Sequence, residues 1–184
     1  MMGAIDTQAA LRARIVWPCR AIRAAAVAYA AWMLLRVGGF WSDPELVARA
    51  IAGWYGGQLA LADAARRAAG LGVSLTVWAM VVAAVLAVWR LTGHYLSGRV
   101  FSVDASVALK RVGQLGLAAT AFDLAARPAI RALLSPGPVL DAHFLARWVR
   151  PEDLLNVGLF AALWVLAHIL ESAASLSDEV EQFV

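Results

Sequence analysis

The chain has 184 residues, of which 62% are apolar and 16% charged, with 16 Lys and Arg against 13 Asp and Glu. An ordinary soluble domain is about 45–50% apolar and about 25% charged, so this composition excludes a disordered chain, a coiled coil and a disulfide scaffold, and argues against a soluble globule. The net charge of +3 does not indicate direct nucleic-acid binding, because the arginines mostly flank apolar stretches, as they do where anionic lipid headgroups are met.

Four apolar stretches have roughly the twenty-residue length that an α-helix needs to cross a bilayer. They cover residues 22–41, 71–89, 112–134 and 154–176. The third is interrupted by two arginines, an aspartate and Pro128, which predicts a kink; Gly113 and Gly116 at its start are expected to let it pack closely against another helix. The sequence therefore predicts an all-α integral membrane protein, a four-helix bundle with residues 1–184 in a single membrane domain.

The first stretch has two interpretations, a cleaved signal peptide or a retained membrane anchor. We favour the anchor, because no small-residue cleavage site follows and Arg36 with Trp41 is typical of a membrane interface. The tryptophans that flank spans are expected at interfaces, namely Trp17, Trp41, Trp89 and Trp148. Those inside the spans are expected to be packing residues, namely Trp32, Trp78 and Trp164.

Between the first two spans, apolar residues recur at near-helical spacing and predict an additional interfacial amphipathic helix over residues 43–69. Ser42 can cap this helix, Glu45 can complete a capping box, and a proline fits the first turn. We expect the helix to loosen at residues 56–57 and to end at Gly70. It is either a lid over the bundle or an element that only closes the structure, and the second interpretation is favoured.

Two further connections separate the remaining spans. Residues 92–111 begin Gly-rich and then turn helical, whereas residues 135–150 open with a Pro-Gly-Pro break. Pro151 then begins the fourth helix, with Glu152 and Asp153 at the positive end of its dipole.

Charged residues inside the predicted spans are the candidate site, because a charge at mid-bilayer costs at least about 2.5–3.5 kcal/mol unless it faces a partner or water. Asp123 and Arg127 are four positions apart, in the order that favours a helical ion pair, and His168 and Glu171 are three apart. Arg36 reaches Asp123 or Glu171 only if helix tilt brings them level. The five residues form either a polar, proton-sensitive pocket or a set of self-neutralised and interfacial charges, and the second interpretation is favoured.

The cytoplasmic surface is a second candidate site. Four arginines lie before or at the start of the first span, namely Arg12, Arg14, Arg20 and Arg23, so we expect both termini to be cytoplasmic. Residues 92–111 then lie on the same side as the C-terminal tail. The connection offers the basic residues Arg99, Lys110 and Arg111, and the tail offers the acidic residues Asp178, Glu179 and Glu181. The two segments pair with each other, present a docking surface to a partner, or are only solvated.

No enzyme signature is present in the sequence. It has no phosphate-binding glycine loop, no dinucleotide fingerprint and no nucleophile elbow. The three histidines lie far apart along the chain and there is a single cysteine, so no local zinc motif is present. We expect a non-enzymatic protein with no metal and no cofactor.

Three short segments carry a resemblance: residues 97–102 (SGRVFS), 150–154 (RPEDL) and 169–173 (ILESA). On these segments the chain resembles the bacterial domain-of-unknown-function 2975 family. The resemblance implies a small four-span protein of the bacterial inner membrane that sits beside a small helix-turn-helix regulator. It therefore implies a membrane-held partner of a transcription factor, and it brings no catalytic residues. The last residues of the tail depart from the polar ending usual in that family.

The leading hypothesis is a non-enzymatic sensory or regulatory membrane protein whose partner is a helix-turn-helix regulator or another membrane protein. Two alternatives stay open. One is an oligomeric transporter or channel subunit, with Asp123, Arg127 and Glu171 along its path. The other is an accessory subunit of a larger membrane complex. All three place the chain in a lipid bilayer, and a homo-oligomer is compatible with each.

Overall fold

The computed structural model describes residues 2–55, 63–97, 102–134 and 148–182, and these residues form α-helices joined by short connections. The helices are α1 (Met2–Ser42), α2 (Pro44–Tyr55), α3 (Ala64–Leu96), α4 (Val103–Leu134) and α5 (Pro151–Gln182). Within the described residues there is no β-strand, so the predicted all-α class is confirmed.

Three segments are long and apolar enough to cross a membrane, namely Ile15–Ser42, Ala64–Leu96 and Pro151–Ala173. They contain or overlap the first, second and fourth predicted spans, and they indicate a membrane protein. Helix α4 contains the third predicted span but does not reach the same apolar character, because charged residues interrupt it. The prediction of a membrane protein is therefore confirmed, whereas composition supports three spans rather than a clear four-helix bundle.

The four long helices pack as a row in chain order. Helix α1 packs on α3, α3 on α4, and α4 on α5, while the short α2 contacts α1. Within the described part of the chain, no comparable packing joins α1 to α5. The row is therefore open on one side, and a groove runs between its first and last helices.

Among the described residues, helix α4 supplies more of the buried core than any other helix. Its buried residues pack with residues of α3 and α5 in one cluster: Ala87, Leu91, Ala108, Leu109, Val112 and Ala167. A Cβ atom added to Gly113 would lie 2.9 Å from the backbone nitrogen of Trp164, and one added to Gly116 would overlap the Phe160 ring. The expected close packing at Gly113 and Gly116 is confirmed, because α5 occupies the space that side chains there would need.

A second cluster lies at the opposite end of the row, where α2 folds over the ends of the long helices. Trp41, Val47 and Leu134 are its buried members. The Trp41 indole donates to Ser74 Oγ at 3.0 Å, and its six-membered ring fills the space beside Gly70 that a Cβ would take. Trp41 is only 8% exposed, so its predicted place at the lipid interface is wrong.

The segment after α1 also differs from the prediction. Asp43 caps α2, because its Oδ1 accepts from the backbone N–H groups of Glu45 (2.9 Å) and Leu46 (3.1 Å), whereas the Ser42 hydroxyl donates to a carbonyl of α1. The single helix predicted over residues 43–69 is replaced by α2 and the first turns of α3. Gly70 lies inside α3 and does not end a helix. A glycine is needed there because the Trp41 ring packs against it. The loosening predicted at residues 56–57 lies outside the described residues.

Candidate functional site

Arg127 of α4 is the centre of a cluster of hydrogen bonds near the start of α5. Its two terminal nitrogens donate to both carboxylate oxygens of Asp153, at 2.6 and 2.7 Å. The guanidinium also donates to Asp123 Oδ2 at 2.6 Å and to the Trp148 carbonyl at 2.8 Å. The predicted contact between Asp123 and Arg127 is present, but the bidentate pair of Arg127 is with Asp153.

The start of α5 explains why Asp153 is placed so firmly. Pro151 occupies the first turn, and the Asp153 carboxylate reaches back to accept from the backbone N–H of Arg150 at 2.8 Å. This is the acidic half of a capping box, with the negative charge at the positive end of the helix dipole. Asp153 is buried. The same carboxylate therefore caps the start of α5 and binds Arg127 of the neighbouring helix α4.

A second ionic cluster lies at the other end of the α4–α5 pair. Lys110 Nζ donates to Glu171 Oε2 at 3.1 Å, and His168 Nδ1 lies 3.6 Å from the same oxygen. The structure therefore brings His168 and Glu171 together, as their spacing predicts. Lys110, which the sequence analysis assigned to a cytoplasmic docking surface, forms an ion pair with Glu171 of α5 instead.

The predicted intramembrane residues do not form one site. Asp123 and Arg127 lie in the cluster at the start of α5, and His168 and Glu171 in the cluster towards its end. Arg36 is in neither, because its guanidinium lies 5.3 Å from the centre of the Trp32 ring. Within the described residues Arg36 forms no ion pair with Asp123 or Glu171, although Arg36 and Asp123 both border a cavity beside α2.

The residues of the predicted docking surface are described only in part. Arg111 is exposed, and Lys110 is paired with Glu171. Arg99 and the side chains of Asp178, Glu179 and Glu181 lie outside what the structure describes.

The groove between α1 and α5 has a volume of about 660 Å³. Its walls are apolar over most of their length, with Met33 from α1 and Val81 from α3 among the lining residues. Polar groups gather at one end, where Asp123, Arg150 and Asn156 border it. The arrangement suits a long, mostly apolar occupant that carries a polar group at one end.

Sequence reasoning missed the role of Asp153. The connection between α4 and α5 brings the end of one helix beside the start of the next, but the sequence does not set the register that pairs Arg127 with Asp153. Among the residues that the structure describes, no cluster of three or more His, Cys, Asp and Glu side chains could hold a metal ion.

Comparisons with family models, with curated proteins and with solved structures give no match to this chain. The resemblance to the domain-of-unknown-function 2975 family therefore stays a prediction carried by its three short segments.

Proposed function

We propose that the chain is a four-span integral membrane protein in which α4 crosses the bilayer shielded by its neighbours. Lys110 and Arg127 are seventeen positions apart in α4, which is about 26 Å along a helix axis. The hydrocarbon core of a bilayer is about 30 Å thick. The two ionic clusters therefore suit the two membrane surfaces, with the tightly packed, uncharged Gly113 and Gly116 region between them.

This arrangement gives an even number of spans, so both termini lie on one side of the membrane. We assign that side to the cytoplasm of a bacterial inner membrane, because four arginines lie before or at the start of the first span. Reporter fusions test it. Fusions at Gly57 and Pro138 should report the outside, and fusions at Gly98 and Val184 the inside. If Gly98 and Pro138 report the same side, α4 does not cross and the four-span arrangement fails.

Within this arrangement, the chain acts as a non-enzymatic sensory or regulatory protein that receives its signal in the groove between α1 and α5. The observation that supports this is the groove itself, which opens between helices that do not pack together and ends at the Asp123, Arg127 and Asp153 cluster. An occupant of the groove would contact both α1 and the first turn of α5. Binding of the occupant would therefore change the position that α5 prefers relative to the other helices.

Site-specific photocrosslinking in native membranes tests the groove. A photoreactive residue at Met33 lines the groove, whereas one at the neighbouring Leu34, 38% exposed, does not line it and serves as control. We expect a discrete adduct at Met33 that Ala26→Trp suppresses, because Ala26 lines the same groove. The outward Val27→Trp should leave the adduct unchanged. Identical lipid adducts at Met33 and Leu34 would remove the groove from the proposal.

The partner follows from the same proposal. A helix-turn-helix regulator or a second membrane protein would read the cytoplasmic end through the acidic tail. Deleting residues 178–184 should abolish recovery of that partner from mild detergent while insertion and helicity stay intact. Undiminished recovery would remove the tail from the mechanism.

The transporter alternative has less support. It needs Asp123, Arg127 and Glu171 along one path, yet Glu171 belongs to the other ionic cluster. Proton- or voltage-dependent flux in liposomes would favour the transporter over the regulatory protein.

A further inference from the structure

A second groove, of about 550 Å³, follows the seam between α3 and α4 near the end where α1 begins. On each helix its lining residues recur three or four positions apart, over residues 83–94 of α3 and 104–115 of α4. Spacing of this kind puts them on one face of each helix. The groove therefore runs lengthwise along the seam, over about 16 Å of helix.

The chemistry of the groove changes along its length. Helices α3 and α4 are antiparallel and are joined by residues 97–102. One end of the groove, at Ala83 and Leu115, therefore lies far from this connection, and the other end, at His94, lies close to it. The far end is apolar. Arg90 of α3 and Arg111 of α4 line the groove between the two ends. The groove therefore matches a membrane lipid along its length: its apolar end suits an acyl chain, and its two arginines suit a negatively charged headgroup.

The level of the two arginines in the membrane is marked by Trp89. Its side chain is 47% exposed, and tryptophans on the outer surface of membrane proteins concentrate at the headgroup level. Arg90 is the next residue in the chain. Its guanidinium is therefore positioned where lipid phosphates lie, whereas the far end of the groove is positioned among acyl chains.

The two arginines differ from the other cations of the seams. Arg23, Lys110 and Arg127 each have hydrogen-bond partners within the protein. Within the described residues, neither Arg90 nor Arg111 has a hydrogen bond or an ion pair. Asp104 also borders the groove, but it is engaged in an interaction of its own. The groove thus presents two uncompensated cations against one carboxylate.

We propose that this groove binds an anionic phospholipid, with the phosphate held between Arg90 and Arg111 and an acyl chain lying over Ala83, Leu86 and Leu115. Guanidinium groups bind phosphate oxygens through charge-assisted hydrogen bonds, and basic pockets between membrane helices bind anionic headgroups. The net positive charge selects an anionic lipid over a zwitterionic one. The apolar floor selects a lipid over a soluble phosphate.

Native mass spectrometry of the full chain in detergent tests the proposal, with phosphatidylglycerol and phosphatidylcholine of identical acyl chains as probes. We expect preferential retention of phosphatidylglycerol. The double variant Arg90→Gln/Arg111→Gln should reduce its bound fraction by about tenfold, which corresponds to about 1.4 kcal/mol. Arg20→Gln is the matched control, because Arg20 is also exposed, lies at the same end of the row and does not line the groove. It should retain phosphatidylglycerol as the unmodified chain does.

Two further arms separate a bound lipid from a bound soluble phosphate. Ala83→Trp keeps both arginines and fills the apolar floor, so it should also reduce phosphatidylglycerol binding, and it tests the proposal even if the double variant fails to fold. Glycerol 1-phosphate, which has the headgroup chemistry without an acyl chain, should not displace the lipid. Equal retention of the two lipids, equal losses in the double variant and Arg20→Gln, unchanged binding in Ala83→Trp, or displacement by glycerol 1-phosphate would each overturn it.

Discussion

Helices α1 and α4 occupy opposite places in the row. Among the long helices α1 packs mainly against α3, and its large apolar residues Trp17 and Leu35 are 76% and 75% exposed. Helix α4 lies between α3 and α5 and contributes nine buried residues. Yet α1 contains a candidate span by composition, and α4 does not.

This difference between α1 and α4 shows that the hydropathy of a helix depends on how much of its surface faces lipid. A helix surrounded by lipid must be apolar on nearly all faces, because a bilayer offers no partners to polar groups. A helix covered by protein can carry charges wherever a neighbour supplies the counter-charge, as Asp153 does for Arg127. Hydropathy therefore measures contact with lipid, and a central helix can cross a membrane without a strong hydropathy signal.

The two helices are also held by different contacts. Helix α1 is tied to α3 by separate hydrogen bonds, including one from the Trp78 indole to the Ala30 carbonyl at 2.9 Å. Helix α4 is held to α5 by close packing at its glycines and by an ionic cluster near each end. We therefore expect the largest effects of substitution at the α4–α5 seam and smaller ones at the α1–α3 seam.

The largest effect is expected at Asp153. Asp153→Ala leaves the Arg127 guanidinium, whose side chain is 20% exposed, with only Asp123 as a counter-charge, and breaking a buried pair in this way costs about 3–5 kcal/mol. Asp123→Ala should cost about 1 kcal/mol or less, because the Asp123 side chain is 41% exposed and exposed pairs contribute little. The measurement is the free energy of unfolding in mixed micelles.

The control for this prediction removes both charges. The double variant Arg127→Met/Asp153→Leu leaves only Asp123, whose side chain is 41% exposed, without its partner, so it should be more stable than Asp153→Ala alone. If Asp123→Ala proves as damaging as Asp153→Ala, Arg127 depends on the local pair that the sequence predicts rather than on the pair between helices.

The next effect is expected at Gly113. In Gly113→Ala the new methyl group would meet the α5 backbone, and overpacking of this kind costs about 1–3 kcal/mol. Gly158→Ala, on α5 itself, is the matched control, because no atom lies within 4 Å of the site and alanine favours a helix over glycine by up to about 1 kcal/mol. Thermal unfolding in detergent should therefore shift in opposite directions. A matching downward shift in both would mean that close packing at Gly113 does not hold the seam.

These two sites also show how far the sequence reaches. The small residues at Gly113 and Gly116 predict close approach of a helix, and the acids after Pro151 predict a helix start, because both signals are local. The pairing of Arg127 with Asp153, or of Lys110 with Glu171, requires the register of two helices. Loop length and composition do not set that register, so an i,i+4 partner is visible in the sequence and a partner across helices is not.

Trp41 illustrates the same limit from the apolar side. An indole at the end of an apolar stretch predicts an interface, and the rule fails here because α2 folds back and covers it. The partners that bury Trp41 include Val47 and Leu134, one close in the chain and one far from it. Burial of this kind depends on tertiary structure that hydropathy does not encode.

A smaller effect is expected at Arg23, which holds α1 to α3. Its side chain donates to Thr92 Oγ1 at 2.7 Å and to the Trp89 carbonyl at 2.9 Å, and it lies 4.6 Å from the centre of the Trp89 ring. Arg23→Gln should cost about 1–2 kcal/mol, the combined contribution of such contacts. Arg20→Gln serves as control and should be neutral. Equal stability of the two variants in micelles would mean that the apolar contacts of α1 are enough to hold it.

The smallest effect is expected at Lys110 and Glu171, and it separates the two ends of the α4–α5 seam. The two side chains are 28% and 33% exposed, compared with 20% and 8% for Arg127 and Asp153. Water and salt therefore screen the pair, and a double-mutant cycle with Lys110→Met and Glu171→Gln should give a coupling of about 0–1 kcal/mol. The coupling should fall further as salt is raised from low ionic strength. A salt-independent coupling as large as that of Arg127 with Asp153 would mean that this end of the seam is dry, and the two ionic clusters would then not mark two wet membrane surfaces.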